Sequence, residues 1–309
     1  MALDDASKAL LEELAAGDPA PLHELTLEQA RAFGVAMARR FGDGPEMERV
    51  ERHTVAAVDS TTLSMRLLVP RGGARGLIVF YHGGGWVCGS LDEVETLGRT
   101  LADRAGCAVA LAEYRRAPEH PFPAAVDDAW TALRYAEKLA SAGLPLIVAG
   151  DSAGANLAAV VAQRAVREGP ELALQILVNP VTDSDTETAS YRDPENQLIV
   201  TRDSMIWFFD RYAPDAEGRR DPRIAPLRAA SLAGAPPAVV LTAEYDVLRD
   251  EGEAYAERLR AAGVDVRHKR FAGQMHGFFA LVNVLPASAA GMDYVVEAIE
   301  SLLVARISG

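Results

Sequence analysis

The sequence predicts an α/β protein, a mostly parallel sheet with helices on both faces. Three observations predict it. From residue 77 onward, short apolar runs alternate with longer segments of helical spacing, the rhythm of strand–helix units that pack back onto one sheet. One apolar run, residues 146–149, leads directly into Gly150-Asp151-Ser152-Ala153-Gly154 and then a helix-forming stretch. Another, residues 77–81, leads directly into His82-Gly83-Gly84-Gly85.

Taken in order, residues 5–16 carry leucines at 10, 11 and 14, the spacing of one helical face. Gly17-Asp18-Pro19-Ala20-Pro21 breaks that helix. A second helix is expected from Thr26 to about residue 41, because Thr26-Leu27-Glu28-Gln29 matches a capping box. Gly42-Asp43-Gly44-Pro45 ends it. No strand precedes these two helices, so residues 1–42 are expected to form a cap on a catalytic domain of residues 43–309. Residues 50–56 and 63–69 then alternate in polarity around Asp59-Ser60, the pattern of an antiparallel hairpin. Further strands are expected at 77–81, 108–112, 146–149, 174–178, 238–242 and 264–271. The intervening helices are expected at 91–105, 124–142, 153–167, 249–262 and 291–305.

Residues 184–226 depart from this rhythm. They open on a polar run, hold one expected helix at 201–212 with Trp207, Phe208 and Phe209, and close on Gly218-Arg219-Arg220-Asp221-Pro222. A long insertion between sheet strands usually serves a function. It is expected to be a second part of the cap, with Phe208 and Phe209, together with Trp86, against the substrate. The competing expectation is that these aromatics form only the insertion's own core.

Composition narrows the function classes. The chain has 309 residues, 49% of them hydrophobic, and a mean hydropathy of +0.02, enough to bury a sizeable core. Its net charge of −13 and pI near 5.0 argue against nucleic acid or an anionic membrane surface as partner. Two cysteines, Cys88 and Cys107, make no disulfide framework and no metal-type spacing. The N-terminal residues carry early acids and no apolar signal region, and no run is long enough to span a bilayer. A cytoplasmic protein is therefore expected, with no cofactor, no metal and no membrane insertion. Its oligomeric state stays open, a homodimer included.

The motifs carry the chemistry. G-x-S-x-G alone arises by chance in about a tenth of chains this long, so the argument rests on the residues that accompany it. Between a strand and a helix the pentapeptide makes a nucleophile elbow that exposes the Ser152 Oγ. Acyl transfer by serine also needs an oriented base and donors for the oxyanion. The donors are expected to be the amides of Gly83, Gly84 and Ala153, because a glycine loop after a strand can turn N–H groups inward without a Cβ in the way. A phosphate loop is the alternative, but the chain has no G-x-x-x-x-G-K-[ST] and no G-x-G-x-x-G opening a helix. The His82 ring reads as structural. Among six histidines, His276 lies just past a strand and before the last helix, where it can reach Ser152 as base. His120, in the proline-stiffened Pro118-Glu119-His120-Pro121-Phe122-Pro123, reads as scaffold. Asp246 fits the acid that holds the histidine. Glu244 is the runner-up, and Asp250 reads as a carboxylate in the first turn of a helix.

His82-Gly-Gly-Gly, Gly150-Asp-Ser-Ala-Gly154, Asp246-Val-Leu-Arg-Asp250 and His276-Gly-Phe resemble the bacterial hormone-sensitive-lipase branch of α/β-hydrolase carboxylesterases. The segment from Tyr114 to Ala129 is similar to that branch's linking segment, so the resemblance covers most of the chain. It implies an eight-stranded α/β-hydrolase with a helical cap and hydrolysis of short- to medium-chain acyl esters by a serine nucleophile. Two departures bear on substrate shape: Ala155 stands where the branch commonly has glycine, and Asn179-Pro180 replaces its more usual Tyr-Pro. An amidase or transacylase would use the same constellation. A small-molecule receptor on this fold is the reading from a different class, and the presence of His276 weighs against it.

Overall fold

The computed structural model describes residues 2–17, 20–57, 59–140 and 143–308. Two helices come first, α1 (Asp5–Ala15) and α2 (Leu27–Ala38). The expected capping box forms: the Gln29 amide donates to Thr26 Oγ1, and the Thr26 amide donates to Gln29 Oε1 at 2.9 Å. The helix ends at Ala38, three residues earlier than its apolar spacing suggested. There follow β1 (Arg49–Ala56), β2 (Thr62–Val69), β3 (Leu77–Tyr81), α3 (Glu95–Ala105), β4 (Ala108–Ala112), α4 (Ala124–Leu139), β5 (Leu146–Asp151) and α5 (Ala153–Glu168). The chain continues with β6 (Leu174–Val178), α6 (Ala189–Arg192), α7 (Arg202–Tyr212), β7 (Ala238–Tyr245), α8 (Arg249–Ala261), β8 (Val266–Met275) and α9 (Pro286–Ser308).

Several boundaries differ from expectation. Residues 91–94 form turns rather than the start of α3. Helix α4 stops at Leu139, and the end expected for it at 142 lies outside the described residues. Strands β7 and β8 run on to Tyr245 and Met275, because neighbouring pairing continues past the apolar run that signalled each strand. The 184–226 insertion holds α6 and short 3₁₀ turns beside the expected helix, which is α7.

The eight strands among the described residues form one sheet in the order β1-β2-β4-β3-β5-β6-β7-β8. The β1/β2 and β2/β4 pairs are antiparallel and all others parallel. From β3 the chain moves first to β4 on one side and then to β5 on the other. The crevice at such a switch point, outside the carboxyl ends of the strands, is where open α/β sheets bind ligands. Register places Tyr81 opposite Gly150. The loop after β3 and the turn after β5 therefore emerge side by side.

Strand β3 is buried along its whole length because both faces of the sheet are covered. Val79 and Tyr81 face a core shared with α4, α5 and α8, while Ile78 and Phe80 face one shared with α3 and α9. Helix α5 approaches this strand so closely that a Cβ on Gly154 would lie 2.0 Å from the Tyr81 carbonyl oxygen. A Cβ on Gly150 would lie 2.3 Å from the Gly154 backbone. Neither obstruction is a side chain that can swing aside.

Gly154→Ala is therefore expected to destabilise the fold by on the order of 3 kcal/mol in urea unfolding. Gly17→Ala, with open space around it, is the control and should change stability by no more than about 0.5 kcal/mol. Equal effects at the two sites would show that α5 can retreat from the sheet.

Candidate active site

Ser152 sits between β5 and α5 with φ 56° and ψ −119°, a conformation that non-glycine residues rarely adopt. It is held there from both sides. Its amide donates to the Val178 carbonyl at 2.8 Å, and its own carbonyl accepts from the Asn156 amide at 3.0 Å. Asn156 is anchored in turn, its Nδ2 donating to the carbonyls of Val181 and Ile224.

The end of β8 delivers His276 and the turn after β7 delivers Asp246. His276 Nε2 lies 3.1 Å from Ser152 Oγ, and its Nδ1 lies 2.8 Å from Asp246 Oδ2. All three side chains are more than nine-tenths buried. The second Asp246 oxygen accepts from the Leu248 amide at 2.9 Å, which fixes the carboxylate's orientation. The neighbouring acids do other work. Glu244 Oε2 accepts from the Gly273 amide, bracing the end of β8, and Asp250 Oδ2 accepts from the Ser190 amide, docking the insertion. Of the three acids weighed from sequence, Asp246 alone meets the histidine.

Burial disfavours the His276 imidazolium, but the charge of Asp246 and the hydrogen bond to it outweigh burial and raise the pKa above its ordinary 6.5. A folded pKa above the unfolded one means that this pair stabilises the fold fully below pH 6.5. That contribution fades as pH rises through the folded value.

Gly83 and Gly84 line the same cavity as Ser152, and Ala153 opens α5 beside it. Among the described residues, none of their three N–H groups is used within the protein, so all remain available to an oxyanion. The loop is braced from behind. His82 stacks on Tyr114 with centroids 4.2 Å apart, and its Nδ1 lies 2.8 Å from the Gly83 carbonyl. The Tyr114 hydroxyl donates to the His82 carbonyl, and Arg116 to the Gly89 carbonyl. Next to it, Arg115 grips the fully buried Asp128 with two side-chain bonds of 2.8 and 2.7 Å. The segment after β4 is scaffold for the glycine loop, and His82 belongs to that scaffold.

The cavity above Ser152 has a volume of about 530 Å³. Leu11 and Leu14 of α1, Phe33 and Met37 of α2, and Met205 and Phe208 of α7 contribute to its wall. Two of the three aromatics expected against substrate are elsewhere. Trp86 is fully buried, stacked on Tyr212 at 4.3 Å, and Phe209 packs into the same core. The glycine loop turns Trp86 inward, and one helical position separates Phe209 from the face that carries Phe208. Sequence reasoning missed Asp151 and Glu93, which also line the cavity. Burial pushes the Asp151 carboxyl up to about 6, with Asp246 adding to the rise and His276 opposing it. The polar step Ser90-Leu91-Asp92-Glu93, directly after the glycine loop, was the available signal for the second.

A family model described as alpha/beta hydrolase fold matches residues 78–280. The chain belongs to the α/β-hydrolase fold family. Its motifs and relatives place it in the hormone-sensitive-lipase-like branch. It is 43% identical over 243 residues to the carboxylic ester hydrolase LipN of Mycobacterium tuberculosis, a match covering 75% of this chain and 65% of that protein. The chain thus spans slightly less than two thirds of that relative's length. It is 35% identical over 299 residues to an ethyl acetate hydrolase of Pseudomonas putida, covering 93% and 94% of the two chains. Among solved structures it is similar to a mutant of an alpha/beta hydrolase enzyme from the metagenome of Lake Arreo, Spain. That match has a TM-score of 0.90 and 36% identity, over 97% of this chain and 98% of the other.

The triad geometry makes a spectroscopic prediction. In an NMR titration His276 should titrate above pH 6.5, and in Asp246→Asn below it, since burial is then the larger influence left. An unchanged titration would mean that Asp246 does not set the histidine's basicity.

Proposed function

We propose that the protein is a serine carboxylesterase that hydrolyses short- to medium-chain acyl esters through an acyl-enzyme. The observation that supports this most directly is the hydrogen-bonded line Asp246–His276–Ser152, ending in a largely apolar cavity. The relatives' names, a carboxylic ester hydrolase and an ethyl acetate hydrolase, support the same reaction class.

In this reading Ser152 Oγ attacks the ester carbonyl while His276 Nε2 accepts its proton. Asp246 keeps the proton of Nδ1 in place and stabilises the imidazolium without being protonated itself. The amides of Gly83, Gly84 and Ala153 receive the oxyanion, at the positive end of α5. The tetrahedral adduct collapses, and the alcohol leaves with the proton returned by His276. Water, activated by the same histidine, then attacks the acyl-enzyme and frees the acid and Ser152.

Residues 1–42 and 184–226 are proposed to act together as a cap, a reading supported by the contribution of α1, α2 and α7 to the cavity wall. No helix among the described residues is long and apolar enough to cross a membrane. A cytoplasmic location belongs to the same proposal, and the two buried free cysteines are in keeping with it.

Ser152→Ala should abolish ester turnover with the circular dichroism spectrum unchanged, and a fluorophosphonate should label the wild type once, at Ser152. Labelling at another residue would overturn the nucleophile. Asp246→Asn should lower kcat by about 10⁴, the scale of the equivalent change in a serine triad. Asp250→Asn, away from the histidine, should lower it far less. A panel of p-nitrophenyl esters of rising acyl length, run beside matched anilides, separates esterase from amidase, and faster anilide cleavage would overturn the esterase reading. Because the base must be neutral, kcat/KM should rise with pH through a value above 6.5. A plateau already reached at pH 5 would show that His276 is not the base.

A further inference from the structure

The cavity above Ser152 is apolar over most of its wall but not neutral. Two carboxylates line it, Glu93 and Asp151, and its lining among the described residues contains no lysine or arginine. Glu93 stands in the turns that precede α3, facing α2. Its Oε1 accepts a hydrogen bond from Ser90 Oγ at 2.9 Å. Its Oε2 lies against α2, where a Cβ on Gly34 would come within 2.2 Å of it. The glycine leaves the carboxylate room beside the helix backbone. The cationic groups nearby are engaged elsewhere: Arg116 donates to the Gly89 carbonyl, and His82 Nε2 points to Glu113 at 3.8 Å. Burial raises the Glu93 pKa, and the hydrogen bond from Ser90 with the charges of His82 and Arg116 reverses that only in part.

Asp151 adds a second, independent observation. It is 8% exposed, and its Oδ1 is buried without a hydrogen-bond partner. A carboxylate oxygen left without a donor beside a ligand cavity is costly unless a ligand or water supplies one.

We propose that Glu93 makes this pocket charge-selective: it takes esters with a neutral arm, pairs a protonated or quaternary ammonium arm with Glu93, and rejects arms that end in a carboxylate. The proposal rests on the esterase reading and names the substrate class for the same site. An anionic arm would shed its water among apolar side chains, meet two acids and find no lysine or arginine in the lining to pair with. A cationic arm meets the opposite field, and its methyl groups lie well against the leucines and Met37. The cavity volume is within the range that holds small-molecule ligands.

The test compares substrates matched in shape and different in charge. On the alcohol side these are acetylcholine and its uncharged carbon isostere. On the acyl side they are p-nitrophenyl esters of trimethylammonio-butyrate, of its tert-butyl isostere, and of glutarate as the half-ester. In the wild type, kcat/KM for the cationic ester should exceed that for its isostere on the arm that reaches Glu93. This ratio should fall about tenfold in Glu93→Gln, the factor a single partly screened charge pair of about 1.4 kcal/mol supplies. The glutarate half-ester should be at least about tenfold slower than the isostere in the wild type and recover part of that deficit in Glu93→Gln. A measurement on the wild type alone guards against a misfolded variant. Raising ionic strength from about 0.01 M to about 1 M should shrink the cationic preference. Equal ratios in the two proteins, or a half-ester turned over as fast as its neutral isostere, would overturn the proposal. Failure of the esterase reading looks different, with no turnover of any ester by folded protein. Calorimetry then decides the charge question by itself: phenyltrimethylammonium should bind the wild type about tenfold more tightly than Glu93→Gln, and equal affinities would overturn it.

Discussion

The contact on which the site depends is the approach of α5 to the end of β3. It is possible only because residue 154 has no Cβ to strike the Tyr81 carbonyl. That approach brings the first turn of α5, and Ser152 before it, next to the glycine loop that leaves β3. Ser152 is consequently forced to a positive φ, and the cost is borne by the pairing around it. Its amide is bonded to Val178 of β6 and its carbonyl to Asn156 of α5. Strand β5, paired on both sides along its length, cannot shift to relieve the strain. The positions of Ser152 and of the Gly83, Gly84 and Ala153 amides thus follow from one packing contact.

The charges follow from that geometry. Asp246 and Asp151 are buried near His276, Glu251 is buried near Asp246, and burial pushes both Asp151 and Glu251 upward. Glu251 is tolerated because the Thr182 and Asp183 amides donate to its Oε1, which also ties the strand-end loop after β6 to α8. Asp246 has the Leu248 amide on one oxygen and the His276 ring on the other. The charges of Asp246 and Asp151 favour the protonated ring, and together with the hydrogen bond to Asp246 they raise the His276 pKa against the effect of burial. In the proposed acyl transfer these charges favour an imidazolium while the tetrahedral adduct is present, which is when the reaction needs one.

Much of this was legible in the sequence, for a physical reason. Gly150, Gly154 and the run Gly83–Gly84–Gly85 are positions where backbone must approach backbone, and such needs are written as residue identity. The strand–helix alternation is written as period and located six strands, and the polarity alternation of a hairpin located the first two. Thr26 and Gln29 announced their own capping box. What stayed hidden depended on contacts distant in sequence. Trp86 belongs to a glycine run that reads as site lining, yet the loop's turn carries it onto Tyr212. Phe208 and Phe209 are adjacent in sequence, yet one helical step of about 100° puts only Phe208 on the cavity wall. The extensions of β7 and β8 rest on their mutual pairing, which continues past an irregularity between Ala243 and Tyr245. No local pattern encodes any of these.

The N-terminal helices show how far the site reaches beyond the sheet. The Asp4 amide donates to the Gly273 carbonyl, and Gln274 Nε2 donates to Asp4 Oδ2, two residues before His276. At the other helix, Arg31 donates to the carbonyls of Val87 and Ala117, just beyond the glycine loop and within the scaffold segment behind it, while pairing with Glu119. The polar anchors of α1 and α2 therefore fall just before His276 and just after the glycine loop. Between those anchors, their leucines, Phe33 and Met37 face the cavity. Substrate packing against that apolar wall bears on elements bonded directly to the loops that flank the reacting atoms. In the esterase reading proposed above, binding energy from a substrate's remote carbons is delivered to the loops that flank Ser152 and His276, which is where it raises turnover rather than affinity alone.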